Sequence, residues 1–387
     1  MSGALLPGHV HCPHYAAARC RSCGWIERDY TAQLTDKQDR ARAALPGLAA
    51  ESWLPPIGSA LAGFRNKAKM AVGGSVEAPL LGLVEADRAQ VDLADCLLYP
   101  AAIQQAFGPI RDFIRAARLV PYDLVTRRGE LKFVLLTMAP HDGRLLLRFV
   151  LRSREPLDRL RKQLASLQSA LPAVAVVSAN LQPVHQAVLE GPDEILLTDQ
   201  AALDMQVNEI PLALRPGGFF QTNSALAAAL YAQVRDWCTN LAARTVWDLY
   251  SGVGGFALHC AAPGRIVTGV ESHPDGVHSA RQSAAALGLD AHFVCADATA
   301  WVQSQHVTPD LVIVNPPRRG LGPALSAWLQ QSGVPDLIYS SCSVDSLVAD
   351  LKRMPAYTLL QGRVLDMFAH TPHFEVVVRL RRSAERS

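Results

Sequence analysis

The feature that most constrains the fold is a glycine-rich segment between an apolar run and a helical run. Residues 245–250 form the apolar run, the segment itself reads Asp248-Leu-Tyr-Ser-Gly-Val-Gly-Gly255, and residues 256–262 have a helical pattern. Glycine lets the backbone approach a bound ligand closely. The spacing also fits a G-x-G-x-x-A dinucleotide loop, so a nicotinamide cofactor stays open at this point.

Strand-like and helical stretches alternate through the rest of the chain, which predicts a parallel, doubly wound α/β sheet of Rossmann-like type. We predict strands at 265–271, 291–295, 310–314 and 336–341, helices at 276–287, 325–331 and 345–354, and a closing antiparallel pair at 363–368 and 374–380. A ligand then lies at the carboxyl ends of the strands, near the switch point.

Residues 1–215 have a different, α+β pattern. We predict strand pairs at 69–72 with 80–84 and at 131–138 with 144–151, a helix at 156–171, and strands at 174–180 and 194–198. A Pro/Gly junction at 215–218 predicts the boundary with the second part. The chain of 387 residues is long enough for two or three domains.

Composition narrows the class of protein but names no partner. The chain is 49% apolar and its net charge is only +2, so any nucleic-acid contact must come from local patches. No secretory leader pattern and no apolar run of about 18 residues is visible, so we expect a cytoplasmic protein with no membrane partner. In a reducing compartment its eight cysteines are expected to be thiols or ligands.

Polar residues follow the predicted strands where a ligand is expected. Glu271 can hold two ribose hydroxyls, Asp297 can face an adenine amino group, and Asn315-Pro-Pro-Arg318 resembles the loop of methyltransferases that act on bases. Both acids are also ordinary residues for a turn at a strand end. Together the three positions favour S-adenosylmethionine over a nicotinamide cofactor.

Cys342 follows the fifth strand at the same edge, among Ser340, Ser341 and Ser343. We expect the helix that begins near Asp345 to lower the pKa of the thiol; a buried, inert thiol is the alternative. A thiolate that adds to C6 of uracil makes C5 nucleophilic toward a sulfonium methyl group, after which a base removes the C5 proton.

Glu375 opens an apolar strand, and the sequence predicts it as that base. Partial burial there raises the pKa of a carboxyl group toward a useful value. A surface glutamate on an edge strand is the alternative. His370 and His373 are further candidates for the base or for phosphate contacts.

Three cysteines near the start, Cys12, Cys20 and Cys23, predict a metal site that lacks one ligand, which Cys96 can supply. Four thiolates suit either zinc or a [4Fe–4S] cluster. His9, His11 and His14 keep a mixed zinc site open.

In combination these motifs, with Phe64-Arg-Asn-Lys67 and Phe219-Phe-Gln-Thr-Asn223, closely resemble the bacterial RNA 5-methyluridine methyltransferases. Within that family the chain resembles the smaller enzymes of 23S ribosomal RNA, over nearly its whole length. The resemblance implies C5 methylation of a uridine of 23S rRNA, uridine 747, with another 23S rRNA or tRNA uridine as the alternative.

The resemblance also implies a role for each site residue. Cys342 would be the nucleophile and Glu375 the base. S-adenosylmethionine would be the co-substrate, contacted by Gln221, Tyr250, Glu271 and Asn315, with Asp297 added from its strand-end position. A [4Fe–4S] cluster would be bound by Cys12, Cys20, Cys23 and Cys96. Relatives often have Cys at the position of Ser251 and Asp at that of Asn315, which leaves the role of residue 315 open.

We therefore predict an iron–sulfur-binding segment at 1–100 packed with the central domain, a central α+β RNA-binding domain at 101–215 and a methyltransferase domain at 216–387. The expected partner is 23S rRNA, not DNA, and the chain is expected to be a monomer. Phosphate contacts are predicted from exposed basic clusters: Arg65, Lys67 and Lys69; Arg127, Arg128 and Lys132; Arg148, Arg152 and Arg154; Arg318 and Arg319.

Two other classes of function remain as alternatives. The Asn-Pro-Pro loop suits a methyltransferase of base amino groups, which needs no thiol. The basic clusters and the Cys-x2-Cys pair suit a non-catalytic metal and RNA-binding protein, which would not bind S-adenosylmethionine.

Overall fold

The computed structural model describes residues 8–84, 90–186 and 188–383. Its helices are α1 Pro13–Ala16, α2 Tyr30–Ala44, α3 Ala101–Ala116, α4 Leu157–Ala170, α5 Ser224–Asn240, α6 Gly255–Cys260, α7 Pro274–Leu287, α8 Ala298–Gln303, α9 Gly322–Ser332 and α10 Val344–Leu351. None of the helices in these ranges is long and apolar enough to cross a membrane.

The strands divide between an N-terminal sheet, a hairpin and a C-terminal sheet. They are β1 Lys67–Gly74, β2 Pro79–Leu83, β3 Val91–Asp92, β4 Leu131–Met138, β5 Leu145–Leu151, β6 Val174–Leu181, β7 Asp193–Leu196, β8 Leu203–Val207, β9 Ile210–Leu214, β10 Thr245–Leu249, β11 Ile266–Glu271, β12 Ala291–Cys295, β13 Leu311–Val314, β14 Asp336–Ser341, β15 Tyr357–Leu365 and β16 Glu375–Arg382.

The C-terminal sheet has the order β12-β11-β10-β13-β14-β16-β15. Its first five strands are parallel, and β16 runs antiparallel to both β14 and β15. This confirms the doubly wound sheet and the closing antiparallel pair predicted from the sequence. The strand order reverses between β10 and β13, so the glycine loop after β10 lies at the switch point, where such sheets bind ligands.

The N-terminal sheet has the order β3-β2-β1-β4-β5-β6-β7. The predicted β1–β2 and β4–β5 strand pairs are confirmed, and both are antiparallel. Helices α3 and α4 cover one face, where apolar residues such as Phe107, Ile110 and Phe149 are buried. Strands β1–β3 precede residue 100 and β4–β7 follow it, so the predicted ranges 1–100 and 101–215 contribute to one sheet. The domain limits themselves stay a prediction.

The segment before the N-terminal sheet packs on the C-terminal sheet. Ala41 of α2, Leu45 directly after it and the following Trp53 are buried in one core with residues of β15 and β16. Within the same contact, Lys37 Nζ donates to Asp366 Oδ1 at 2.5 Å, and both side chains are fully buried. This segment therefore lies against β15 and β16, and β16 begins at Glu375.

Candidate functional site

The glycine loop has the backbone that a ligand cradle needs. Gly252 and Gly254 have φ angles of +54° and +88°, in the left-handed region that favours glycine. A Cβ at Gly252 would meet nothing within 4 Å, whereas a Cβ at Gly255 would lie 2.5 Å from the ring of Tyr231. The loop thus packs tightly on its inner side and stays open at Gly252.

Asp248 and Ser251 add buried polar atoms to this loop. Asp248 is fully buried and one carboxylate oxygen accepts from the backbone N–H of Ala257 at 2.9 Å. Its Oδ1, like Ser251 Oγ, has no hydrogen-bond partner within the described part of the chain. Burial raises the pKa of Asp248 to about 8, and the nearby charge of Glu271 adds to the effect. Unpaired buried polar atoms at a glycine cradle fit a site built for a polar ligand.

Three of the predicted cofactor residues, Tyr250, Glu271 and Asp297, lie at the carboxyl ends of β10, β11 and β12. Glu271 accepts backbone N–H groups from Gly252 at 3.0 Å and His273 at 2.7 Å, so its carboxylate is held against the glycine loop. Tyr250, two residues before Gly252 in the same loop, has a φ of +66°. Burial raises the pKa of its hydroxyl, and the charge of Asp297 raises it further.

Two of the predicted cofactor residues have structural contacts of their own. Asp297 caps α8 by accepting from the N–H of Ala300 at 2.9 Å, so it has the ordinary role of a helix cap. Gln221 is buried, and its backbone carbonyl accepts from Asn66 Nδ2 at 2.9 Å. Neither contact tests the predicted role toward a cofactor, which stays a prediction for both residues.

Glu375 lies at the start of β16, beside the ends of β13 and β14. Its Oε1 accepts two hydrogen bonds, from Asn315 Nδ2 at 2.9 Å and from Ser340 Oγ at 2.5 Å. The side chain is buried, and burial raises its pKa to about 7 although both hydrogen bonds lower it. The predicted rise in pKa is therefore confirmed, and the carboxyl group can gain or lose a proton near neutral pH.

Cys342 is half-buried directly after β14. Burial raises the pKa of its thiol, the charge of Glu375 raises it further, and Arg318 lowers it. The pKa of this thiol is therefore raised, not lowered as the sequence predicted, although α10 begins close by at Val344 and is capped by Ser343.

The histidines before Glu375 have separate environments. His370 is buried, its Nε2 lies 2.7 Å from the carbonyl oxygen of Leu61, and burial lowers its pKa. It is therefore unsuited to bind phosphate, and that alternative is wrong for His370. His373 is exposed, with its Nδ1 3.2 Å from Arg318 Nη2, so it belongs to the surface next to the Asn-Pro-Pro loop.

The four N-terminal cysteines line one cavity of about 250 Å³, together with Arg65 and Tyr99 among others; they are Cys12, Cys20, Cys23 and Cys96. Burial raises the pKa of the Cys23 thiol to about 12, and the charges of the other three thiols add to the rise. In the ranges that the structure describes, no three His, Cys, Asp or Glu side chains, the four cysteines included, are arranged to hold a single metal ion.

The predicted basic clusters are only partly available to a phosphate. Arg148 is buried and bonded to Glu190 at 2.8 Å and to Glu194 at 2.6 Å, so its prediction as an RNA contact is corrected to a structural role. Lys132 is buried as well. The exposed members include Lys69, Arg127, Arg128, Arg318 and Arg319.

Sequence reasoning did not assign a role to Ser340. The structure makes it a hydrogen-bond donor to the predicted base. The signal in the sequence was the pair Ser340-Ser341, which follows the apolar residues of β14 directly before Cys342. Polar side chains at this edge of the sheet are expected to belong to the site.

Comparisons with known proteins agree with this geometry. Residues 214–327 match the family model described as "Methyltransferase small domain". The chain is 48% identical to the 23S rRNA (uracil(747)-C(5))-methyltransferases RlmC of Salmonella typhimurium and Serratia proteamaculans, over 97% of this chain and 100% of each relative.

A solved structure has the same fold. It is that of Pyrococcus abyssi tRNA (uracil-54, C5)-methyltransferase in complex with S-adenosyl-L-homocysteine, with a TM-score of 0.77 and 23% identity. The match covers 97% of this chain and 86% of that chain. On the strength of the 48% identity along nearly its full length, the chain belongs to the 23S rRNA (uracil(747)-C(5))-methyltransferase family.

Proposed function

We propose that this chain transfers the methyl group of S-adenosylmethionine to C5 of uridine 747 in 23S rRNA, in the cytoplasm, and acts as a monomer. The observation that carries the proposal is the placement of Cys342 and Glu375 on neighbouring strands at the ligand-binding edge of the sheet: Ser341 and Val376 are register partners, so Cys342 follows β14 where Glu375 begins β16. Relatives at 48% identity are named for that reaction.

The co-substrate is assigned to the glycine loop and the strand ends around it. Gly252 leaves open space for a ligand, and Glu271 holds a carboxylate against the same loop. We propose Gln221, Tyr250, Glu271, Asp297 and Asn315 as its contacts. Asn315 also donates to Glu375, so this amide joins the cofactor side of the site to the base.

The chemistry follows from the two titratable groups. The thiolate of Cys342 adds to C6 of the uracil, and the electron pair of the C5–C6 double bond moves to make C5 enolate-like. C5 then attacks the sulfonium methyl group, and S-adenosylhomocysteine leaves. Glu375 removes the C5 proton, and elimination of the Cys342 thiolate restores the double bond.

The surroundings of Glu375 suit the acceptor of that proton. Both of its hydrogen bonds reach Oε1, which leaves Oε2 to take the C5 proton. A pKa of about 7 lets the carboxylate be charged at neutral pH and still take up a proton readily. The target base must leave its stack to reach a half-buried thiol, and an RNA loop allows this at small cost.

We propose a [4Fe–4S] cluster for the cavity lined by the four N-terminal cysteines. Four thiols around one cavity supply the ligand set of such a cluster. As thiolates these four groups would repel one another, and bound iron would offset that repulsion. In such a cluster each thiolate binds a different iron, so the four cysteine sulfurs lie farther apart than they do around a single zinc ion. The cluster would hold the residues around Cys12, Cys20 and Cys23 against Cys96, which follows β3 of the N-terminal sheet. We propose that the central domain at 101–215 binds the RNA.

The cluster is tested by its own spectrum. Protein purified without air is expected to be brown and to contain iron, and Cys96→Ser is expected to lose colour and iron. Cys295→Ser, which changes a cysteine outside that cavity, is expected to keep both. A colourless protein with stoichiometric zinc and no iron would overturn this assignment.

The reaction is tested with undermodified ribosomal RNA and labelled S-adenosylmethionine, followed by nucleoside mass spectrometry. The wild-type chain is expected to produce 5-methyluridine at position 747. Cys342→Ala is expected to lose this product, whereas Cys295→Ser keeps it. A methyl group on an adenine amino group would instead identify an amino-group methyltransferase, and failure of the chain to bind S-adenosylmethionine would favour a non-catalytic RNA-binding protein.

A further inference from the structure

A second cavity lies in the N-terminal sheet, outside the site described above. Its volume is about 390 Å³, within the range of small-ligand pockets. The floor is apolar and includes Ala71 of β1 and Phe133 of β4, which are register partners. Tyr122 and His185 stand at its wall, with Tyr122 Oη 3.0 Å from His185 Nδ1.

The mouth of the cavity combines exposed apolar and basic side chains. Leu124 lines the cavity at 36% exposure, and its neighbour Val125 is 72% exposed. Arg127 and Arg128 are exposed in the same loop. Lys132 Nζ lies 4.6 Å from the centre of the Tyr122 ring and adds a cation at the wall.

Two lysines of β1 lie between this cavity and the contact that Asn66 makes with Gln221, at the start of the C-terminal part of the chain. Lys67, Lys69 and Ala71 alternate along β1 and therefore share one face of the strand. Lys67 follows Asn66, whose amide donates to the carbonyl of Gln221. Four residues of extended strand place the cavity about 13 Å beyond Lys67, a distance that a few nucleotides span.

We propose that this cavity receives an unpaired base of the RNA substrate, from a nucleotide that flanks the target uridine. Unpaired bases stack on aromatic side chains and apolar surfaces, and their phosphates require nearby cations. The cavity offers an apolar floor with aromatic walls, and Lys69 offers a cation between the cavity and the contact of Asn66 with Gln221. The inference rests on the proposed function, because it requires an RNA substrate.

The test combines RNA binding with kinetics. The double variant Leu124→Ser/His185→Ala changes one side chain at the mouth and one at the wall, both of them exposed, so the fold should persist. His306→Ala is the matched control, because His306 is exposed in the loop that enters β13 at the end opposite the site. The probe is a 23S rRNA fragment that contains the target loop, followed by fluorescence anisotropy and by methyl transfer.

The double variant is expected to raise the Kd and the KM for the fragment about five- to tenfold, which corresponds to the loss of one stacked base. Its kcat and its Kd for S-adenosylmethionine should match those of the control. An unchanged Kd for the fragment would overturn the inference. If the wild-type chain makes no 5-methyluridine, the proposed function fails instead, and the anisotropy measurement still tests the cavity.

Discussion

The pH dependence of methyl transfer depends on the two hydrogen bonds to Glu375 Oε1. Ser340→Ala removes the 2.5 Å bond and leaves the bond from Asn315. A hydrogen bond to a charged group contributes about 1.5–3 kcal/mol, and one pKa unit corresponds to about 1.4 kcal/mol. Loss of the bond disfavours the charged carboxylate, so the pKa of Glu375 should rise from about 7 by about one unit.

The sign of the effect on activity follows from the role of Glu375 as a base. Only the deprotonated form accepts the C5 proton, so a higher pKa moves the acid side of the kcat profile toward higher pH. With a shift from about 7 to about 8, the charged fraction at pH 7 falls about fivefold, and the difference disappears above about pH 9.

The assay is single-turnover methyl transfer to the RNA fragment between pH 5.5 and 9.5. Ser326→Ala is the matched control, because Ser326 is a buried serine that donates to a different carboxylate, that of Asp350. The control should keep the wild-type profile. A Ser340→Ala profile that is lowered equally at every pH would refute the reasoning, because it would mean that Ser340 does not act through the pKa of Glu375.

Three further changes test other parts of the structure. Gly255→Val places a side chain into the ring of the α5 tyrosine, and it should destabilise the protein by about 1–3 kcal/mol in urea unfolding and weaken S-adenosylmethionine binding in calorimetry. Lys37→Met leaves Asp366 buried without its cation and should cost about 3–5 kcal/mol, most of which Lys37→Met/Asp366→Leu should recover. Asn315→Asp puts a second carboxylate beside Glu375, so the acid side of the activity profile should move to higher pH.

Each of these changes has a contradicting result. Unaltered unfolding and binding for the Gly255 variant would mean that the loop has room on its inner side. Equal instability of the single and double variants at Lys37 would mean that apolar packing, not the unpaired charge, sets the cost. An unchanged profile for the Asn315 variant would mean that this side chain turns away from the base.

Much of the C-terminal sheet could be predicted because its signals are local. The glycine loop after β10, the strand–helix alternation and the final apolar pair each lie within a short stretch of sequence. The rise in the pKa of Glu375 was predictable for the same reason, since a carboxylate that opens an apolar strand is buried by that strand.

Other features depend on contacts between distant parts of the chain. Arg148 lies in a basic-looking cluster, but residues more than 40 positions away supply the two glutamates that bury its charge. Burial raises the pKa of Cys342, and the charge of Glu375, which belongs to another strand, raises it further, whereas the sequence near Cys342 shows only the following helix. The pairing of Lys37 with Asp366 joins opposite ends of the chain and leaves no short-range signal.

The most direct test of the central claim is a covalent trap at Cys342. In an RNA fragment with 5-fluorouridine at position 747, methyl transfer leaves no C5 proton for Glu375 to remove, so the thiolate cannot leave and the adduct should persist. Mass spectrometry of the digested complex is expected to find the RNA joined to Cys342 in the wild-type chain and no adduct in Cys342→Ser. A wild-type chain that methylates C5 of uridine but forms no adduct with the fluorinated RNA would contradict the account.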